Sequence, residues 1–503
     1  MVVRRNPALK DGALVSAGPT GTAPRRPGSN QLVRVAVVGA AGPHARRSWA
    51  PLLRQLQAER RVEVVLAIDL FGHDAGLRDL YGDGVEILLT DRFINHSMPK
   101  AFEARLHAAL RRLNVDAVIV ATEPLSHLTY MEMLIPLNVH IFLDKPIVAF
   151  EQVSNDVDQA ARVLIEFERL VELHRKNSSQ VIAVAVQRRH HVGFAAVRQL
   201  VDEAATEFGC PISYMFSSHS DGQFRSPAEI ETLLYHGTRQ GYGKLFHSGM
   251  HLVDVQSTMI KSAAEAGGLT YDAFTTVASA VGPGGFSKLI PNHTIEAIFG
   301  NDGLSQHGFV GHGELDLVAS TSFEIFGENT TLVQLDLAHN GVSGRAWATP
   351  KSDLYKSNGR QKHEHHIIRQ GPFQTIYIDS YQAKHTHEIN TEADFEYGGN
   401  NHFDVAVFRN DELWPTPTQS LERFGAAEIA GAHGLSSARL LNSVAKDQAL
   451  LDFINTVTMP GKLRHPSLFE DHWLTSAWMA GIAESMASSR MITTKIPTHE
   501  GIH

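Results

Sequence analysis

DAVIVATEPLSHLTYMEMLIPLNVHIFLDKPI, Asp116 to Ile147, reads as two buried strands joined through a short helix. Its apolar runs, Ala117 to Ala121 and Val139 to Leu143, are β-branched and continuous rather than alternating, the pattern of parallel strands covered on both faces. Open α/β sheets bind ligands outside the carboxyl ends of their strands. Thr122, Pro124 and His127 after the first run, and Asp144, Lys145 and Pro146 after the second, should therefore face one crevice. The stretch delivers one lysine, Lys145, to the end of a buried strand, where Pro146 suits a tight turn and a cis bond.

Upstream, VRVAVVGAAG, Val33 to Gly42, is a strand entering a glycine turn; HARRSWAPLLRQLQAER has helical spacing; VEVVLAIDL is a second strand ending near Asp69. Strand, turn, helix and strand in this order open a dinucleotide-binding unit. Gly39 allows the tight turn, and Gly42 lets backbone approach a pyrophosphate where unpaired N–H groups and the helix dipole favour anions. The fingerprint is imperfect, with Ala41 at its second glycine position and His44 at its third. Asp69 strengthens it. A carboxylate at the end of the second strand accepts hydrogen bonds from a ribose diol and repels a 2′-phosphate, which favours NAD over NADP. An exposed turn acid is the competing reading of the same residue.

At 503 residues the chain exceeds one core and implies two domains, three at most. Residues 1–31 carry Pro, Gly, Ser and Arg without apolar periodicity and read as a disordered arm. Residues 32–188 form the expected Rossmann domain, a doubly wound parallel sheet closed by the helix VDQAARVLIEFERLVELHRKN and the strand VIAVAVQRR. Residues 189–503 read as a larger α+β domain with an open, mostly antiparallel sheet. Its strands are expected near Ile212 to Ser217, Thr275 to Ala280, Thr294 to Phe299, Ser322 to Ile325 and Thr331 to Leu337, and its last helices over Leu435 to Val457 and Leu474 to Ser488.

A net charge of -9 gives no electrostatic reason to expect nucleic acid or an anionic membrane surface as a partner. No apolar stretch approaches the ~18 residues that span a bilayer. The single cysteine, Cys210, cannot form an internal disulfide, which fits a reducing compartment. Neither Arg4-Arg5 nor Arg25-Arg26 is followed by a signal core, so a cytoplasmic location is expected.

A second segment with chemical content is GYGKLFHSGMHLVDV, Gly241 to Val255. If helical, it puts His247 and His251 one turn apart on one face, with Asp254 near His251. Imidazole suits proton transfer at neutral pH. Hydride leaves a secondary alcohol carbon only as the hydroxyl proton leaves, so a metal-free site needs a base and a cation beside that oxygen.

VRVAVVGAAG, AIDL, ATEPLSH, LDKP, the QRR strand end, GKLFHSGMHLVD and LLDFINTVTMPGKLRHPSLFEDHW together resemble the Gfo/Idh/MocA family of nicotinamide-dependent oxidoreductases, over most of Val33 to Ser488. The family's E-K-P triplet stands here as Asp144-Lys145-Pro146, and its D-x-x-x-H pair as His247 and His251, with the aspartate replaced. The resemblance implies that Lys145 and His251 act beside the nicotinamide on sugars, cyclitols and related polyols, and that the open sheet mediates a homo-oligomer, dimer or tetramer. His251 would be the base in oxidation, and Lys145 would stabilise the developing alkoxide or relay its proton. Asp144 would fix the lysine. His247 would join them as a substrate-binding or proton-relay residue, and Arg189 would sit on the substrate side. Gly39, Ala41, Gly42, Asp69, Thr122, Pro124, His127 and Asp144 would line an NAD site.

Three alternatives compete. His247 and His251 have metal-ligand spacing, and His363, His365, His366, His385 and His387 add H-x-H patterns, but with 28 histidines in the chain chance clusters are expected, so no metal is assigned. A nicotinamide-binding regulator without turnover would explain the imperfect glycine turn. An NAD-retaining glycosidase or epimerase would use transient redox without net oxidation.

Overall fold

The continuous β-branched runs assemble into a parallel sheet of β1 (Val33–Val38), β2 (Val62–Leu70), β3 (Glu86–Thr90), β4 (Ala117–Val120), β5 (His140–Leu143) and β6 (Ile182–Val184). Across the sheet the order is β3-β2-β1-β4-β5-β6. Strand order therefore reverses at β1, and the crevice at the ends of β1 and β4 is the topological switch point. Side chains of β1 and β4 divide between two cores. Ala36, Val38, Val118 and Val120 pack into one, while Val35, Val37, Ala117 and Ile119 pack with Trp49 and Leu53 into the other. The second core is completed from the far end of the chain, by Ala449, Leu450, Phe453 and Ile454 of the helix Leu441–Thr458.

This computed structural model describes residues 32–176, 180–233, 237–341, 361–383, 396–399, 401–435 and 441–497. The arm expected over residues 1–31, and His385 and His387, lie outside the described residues.

The alternating segments form a second, mixed sheet from β7 (Tyr214–Gln223), β8 (Ala273–Val281), β9 (Asp316–Ile325), β10 (Glu328–Asn340), β11 (Gln361–Gln370), β12 (Gln374–Ala383), β13 (Phe403–Arg409), β14 (Leu421–Phe424) and β15 (Ile492–Lys495). Its order is β14-β13-β12-β11-β7-β10-β9-β8-β15, and of its described pairings only β7 with β10 is parallel. Alternation does what it must in a half-covered sheet. Phe274, Ala278, Ala319 and Phe323 are buried with the helix Trp473–Ser488, whereas Val277, Val318 and Leu332 are exposed.

Three sequence expectations need correction. Thr294 to Phe299 is not a strand but most of the helix Asn292–Phe299, because Ile295 and Phe299 are buried one turn apart and Pro291 opens the segment. Leu435 is not helical; a short helix, Ala426–Ala432, ends before it, and the long one is described from Leu441. The strand VIAVAVQRR is shorter than read, since Gln187–His190 turns as a 3₁₀ segment after β6 and separates the two arginines. The first miss is one of period, since Ile295 and Phe299 stand four apart on one helix face.

Candidate active site

The chain must turn sharply at the end of β1, and Gly39 does so at φ +72, where a Cβ would lie 2.6 Å from the Ala121 carbonyl oxygen. Glycine at this place is a steric requirement. Gly42 donates its N–H to the Gly39 carbonyl at 3.0 Å, and the helix that follows contains His44, whose ring meets Trp49 edge-on at 4.7 Å. Asp69, at the end of β2, is buried and accepts from the Ala41 N–H at 2.6 Å and the Leu70 N–H at 2.8 Å. The acid predicted to hold a ribose therefore also pins the turn, and Ala41 takes part through its backbone rather than by lining the cavity.

A cavity of about 530 Å³ opens from this turn. Gly39, Gly42, Asp69, Thr122 and Pro124 border one part of it, and Asp144, Lys145, His247 and His251 another. His127 does not reach it. Fully buried, the His127 ring contacts the carbonyl oxygens of Pro146 at 2.6 Å and Thr122 at 3.2 Å, so it ties together the two loops that end β4 and β5. The expectation that it lines the cofactor is corrected to a bracing position behind the wall.

Lys145 precedes a cis bond to Pro146, and its Nζ donates to the His247 carbonyl oxygen. Burial lowers its pKa, Asp144 and Asp221 push it back up, and Arg188 lowers it. The Asp144 carboxylate accepts the Lys145 backbone N–H at 2.9 Å. His247 lies in a π-helical turn, Leu245–Gly249, that runs into the helix Met250–Ala266 carrying His251. Burial and then Lys145 push the His247 imidazole down to about 3. Burial, followed by the charges of Arg188, Lys145 and Lys446, holds His251 well below the ordinary histidine value. Both rings are neutral at physiological pH. The Nδ1 of His251 is buried without a hydrogen-bond partner among the described residues.

Arg189, expected on the substrate side, does not border the cavity. Its guanidinium makes a two-point pair with Asp254 at 2.8 and 2.7 Å, away from the cavity wall, and Thr475 and His472 close on the same carboxylate at 2.9 and 3.1 Å. Burial would raise the Asp254 carboxyl, but Arg189 and His472 hold it far below the usual range. Asp254, expected beside His251, is thereby committed to a buried ion pair. The neighbouring Arg188 borders the cavity instead, paired through Nε and Nη2 with the two carboxylate oxygens of Glu364 on β11. The 3₁₀ turn aims consecutive side chains apart, and a strand reading could not choose between them.

Sequence reasoning missed Arg188, His219, Asp221, Lys362, Glu364 and Lys446, all of which border the cavity. Arg188 stands on the 3₁₀ turn beside Arg189, while the others come from β7, β11 and the helix Leu441–Thr458, where no local motif marks them. Among the described residues no group of three or more His, Cys, Asp or Glu side chains is placed to hold a metal. His363, His365 and His402 instead surround Asp379, at 3.0, 3.5 and 3.1 Å.

A parallel sheet with its glycine turn and acid at the switch point, joined to a larger mixed sheet across one cavity, is the arrangement of a dinucleotide-binding fold. Residues 33–182 match the family described as "Oxidoreductase family, NAD-binding Rossmann fold", Gfo/Idh/MocA. Residues 33–182 are thus similar to the NAD-binding Rossmann domain of this family.

Solved structures of the same fold span nearly the whole chain. Levoglucosan dehydrogenase, in complex with NADH and L-sorbose, is 13% identical at TM-score 0.59, covering 93% of this chain and 99% of its own. The WlbA dehydrogenase from Bordetella pertussis, in complex with NADH and UDP-GlcNAcA, is 11% identical at TM-score 0.56, covering 94% and 100%. An oxidoreductase from Agrobacterium radiobacter, in complex with NAD+, L-tartaric acid and magnesium, is 13% identical at TM-score 0.53, covering 92% and 98%. No curated protein matches the chain by sequence. Among the described residues no helix is long and apolar enough to cross a membrane.

Proposed function

We propose that this protein interconverts a secondary alcohol and a ketone on a sugar, sugar derivative or cyclitol, with NAD as the hydride carrier. The observation that carries the reading is that Lys145 and His251 border the same cavity as the glycine turn and Asp69. Bound nicotinamide supplies the hydride acceptor or donor. In oxidation the neutral His251 takes the hydroxyl proton, while the Lys145 ammonium faces the oxygen on which charge develops. In reduction the step runs in reverse, from the imidazolium form of His251 to the nascent alkoxide. Cytoplasmic location is part of this reading. So is a homo-oligomer joined through the outer face of the second sheet, where Val277, Val318 and Leu332 are exposed.

The test is to identify by mass spectrometry the small molecules that the purified protein retains, then to follow NADH formation on those and on a panel of polyols. Stoichiometric NADH release with one of them is the expected result. Retained NAD with no hydride exchange across the panel would instead favour a regulator, and turnover without NADH release a transient-redox enzyme.

Cofactor choice has its own measurement. Asp69→Ala removes both the ribose acceptor and the acceptor of the Ala41 N–H, each a hydrogen bond to a charged group worth about 1.5–3 kcal/mol. NADH affinity, followed by fluorescence, is expected to fall at least about tenfold. NADPH affinity should fall much less, because repulsion of its phosphate is relieved. An unchanged ratio of the two affinities would sink the assignment.

A further inference from the structure

The carboxylate of Asp69 is too fully engaged to hold a ribose diol by itself. Its Oδ2 accepts the Ala41 N–H at 2.6 Å, while its Oδ1 accepts the Leu70 N–H at 2.8 Å and lies 3.0 Å from Nδ1 of His73. A carboxylate offers about four acceptor positions, so these three contacts leave room for about one more donor. A ribose diol brings two hydroxyls, and a group beside Asp69 must take the second.

The chain supplies that group four residues on. After β2 the Leu70 carbonyl accepts the His73 N–H at 3.0 Å, and between them Gly72 takes φ +83 at the place where such a tight turn requires glycine. Arg46, just after β1, donates to the Ala75 carbonyl at 3.1 Å and ties the loop down. The turn folds the His73 ring back onto Asp69. A carboxylate that accepts two backbone N–H groups has no hydrogen to give, so the shared hydrogen is carried on Nδ1, and Nε2 of the neutral ring is then an acceptor. That atom has no hydrogen-bond partner among the described residues. The ring is exposed, and His73 borders the same cavity as Gly39, Gly42 and Asp69.

We propose that the adenosine ribose of NAD is held by a two-residue receptor, in which Asp69 accepts one hydroxyl and Nε2 of His73 accepts the other. The inference rests on the reading that Asp69 faces that ribose; it adds the second acceptor and a further ground for cofactor choice. Two acceptors side by side suit a diol, whose hydroxyls both donate. They oppose a 2′-phosphate, which has only lone pairs to offer. His73 is thereby a specificity-determining residue as well as a cofactor-binding one.

Titration calorimetry of the full chain with NAD+ and NADP+, at about pH 8 where imidazole in solution is neutral, tests this without any substrate. His73→Leu keeps Asp69 covered but removes the acceptor, and NAD+ affinity should fall about fivefold, the worth of one neutral hydrogen bond. His73→Gln, whose amide both donates and accepts, should restore most of it. Analogues of NAD+ lacking the adenosine 2′- or 3′-hydroxyl locate the contact. The leucine variant should lose nothing on the analogue that lacks the hydroxyl His73 holds, and as much as with NAD+ on the other. His73→Arg replaces the acceptor by a charged donor, so affinity for NADP+ relative to NAD+ should rise at least about tenfold. An unchanged NAD+ affinity in His73→Leu overturns the proposal. So does an equal loss on NAD+ and both analogues, since the ring would then only steady Asp69. Failure of the wild-type chain to bind either dinucleotide would bring down the cofactor reading and the inference together, whereas NAD+ binding that ignores His73 removes the inference alone.

Discussion

Lys145→Met is expected to lower kcat by about 10²–10⁴-fold on the identified substrate while leaving NADH affinity within a few-fold of wild type. Methionine keeps most of the apolar stem in its buried loop and removes the group that donates to the His247 carbonyl. The loss should appear equally in kcat and kcat/KM, because an ammonium acting on developing charge contributes in the transition state rather than to ground-state binding. Stopped-flow hydride transfer, with NADH binding measured alongside, separates the two. Turnover within a few-fold of wild type would remove Lys145 from the chemistry. Loss of NADH binding with unaltered hydride transfer at saturation would make it a cofactor ligand only.

The prominence of Lys145 in the sequence has a physical source. Parallel strands buried on both faces are written as unbroken apolar runs, so their carboxyl ends, where ligands bind, can be located to within a residue or two. Gly39, Asp69, Thr122, Pro124, Asp144 and Lys145 all sit at such ends, and the structure brings five of them, with Gly42, His247 and His251, to one cavity with Lys145. The opposite wall obeyed no such rule. Asp221, Lys362 and Glu364 lie on strands of a half-covered sheet, where a polar residue in the alternating pattern reads as solvent-facing whether or not a cavity lies over it. Lys446 arrives on a helix hundreds of residues from Lys145, with which it borders the cavity, and convergence at that range is a property of the fold. Short-range ambiguity cost one residue as well, since periodicity alone could not distinguish Arg188 from Arg189.

That ambiguity predicts a difference between the two arginines in stability. Arg189→Ala strips the cation from Asp254, whose side chain is 1% exposed, leaving only Thr475 and His472 about the carboxylate. Removing one partner of a buried pair typically destabilises by about 3–5 kcal/mol, because the remaining charge is left without compensation. Urea unfolding of the variant should show the midpoint displaced accordingly at neutral pH, with NADH affinity little changed.

The pH dependence has a definite sign. Asp254 titrates far below its unfolded value in the native protein, so the stability it contributes is fully present above about 3.9, the ordinary aspartate value, and is lost as pH falls from there. The variant, lacking the arginine, has less to lose over the same range. Its deficit against wild type should therefore narrow on acidification. Replacing both partners by apolar residues, Arg189→Met with Asp254→Leu, should recover much of the stability, since neither charge then remains to be desolvated. An Arg189→Ala protein of unaltered stability that instead raises KM for the polyol would return Arg189 to the substrate side, and Arg188 would lose its claim to that wall.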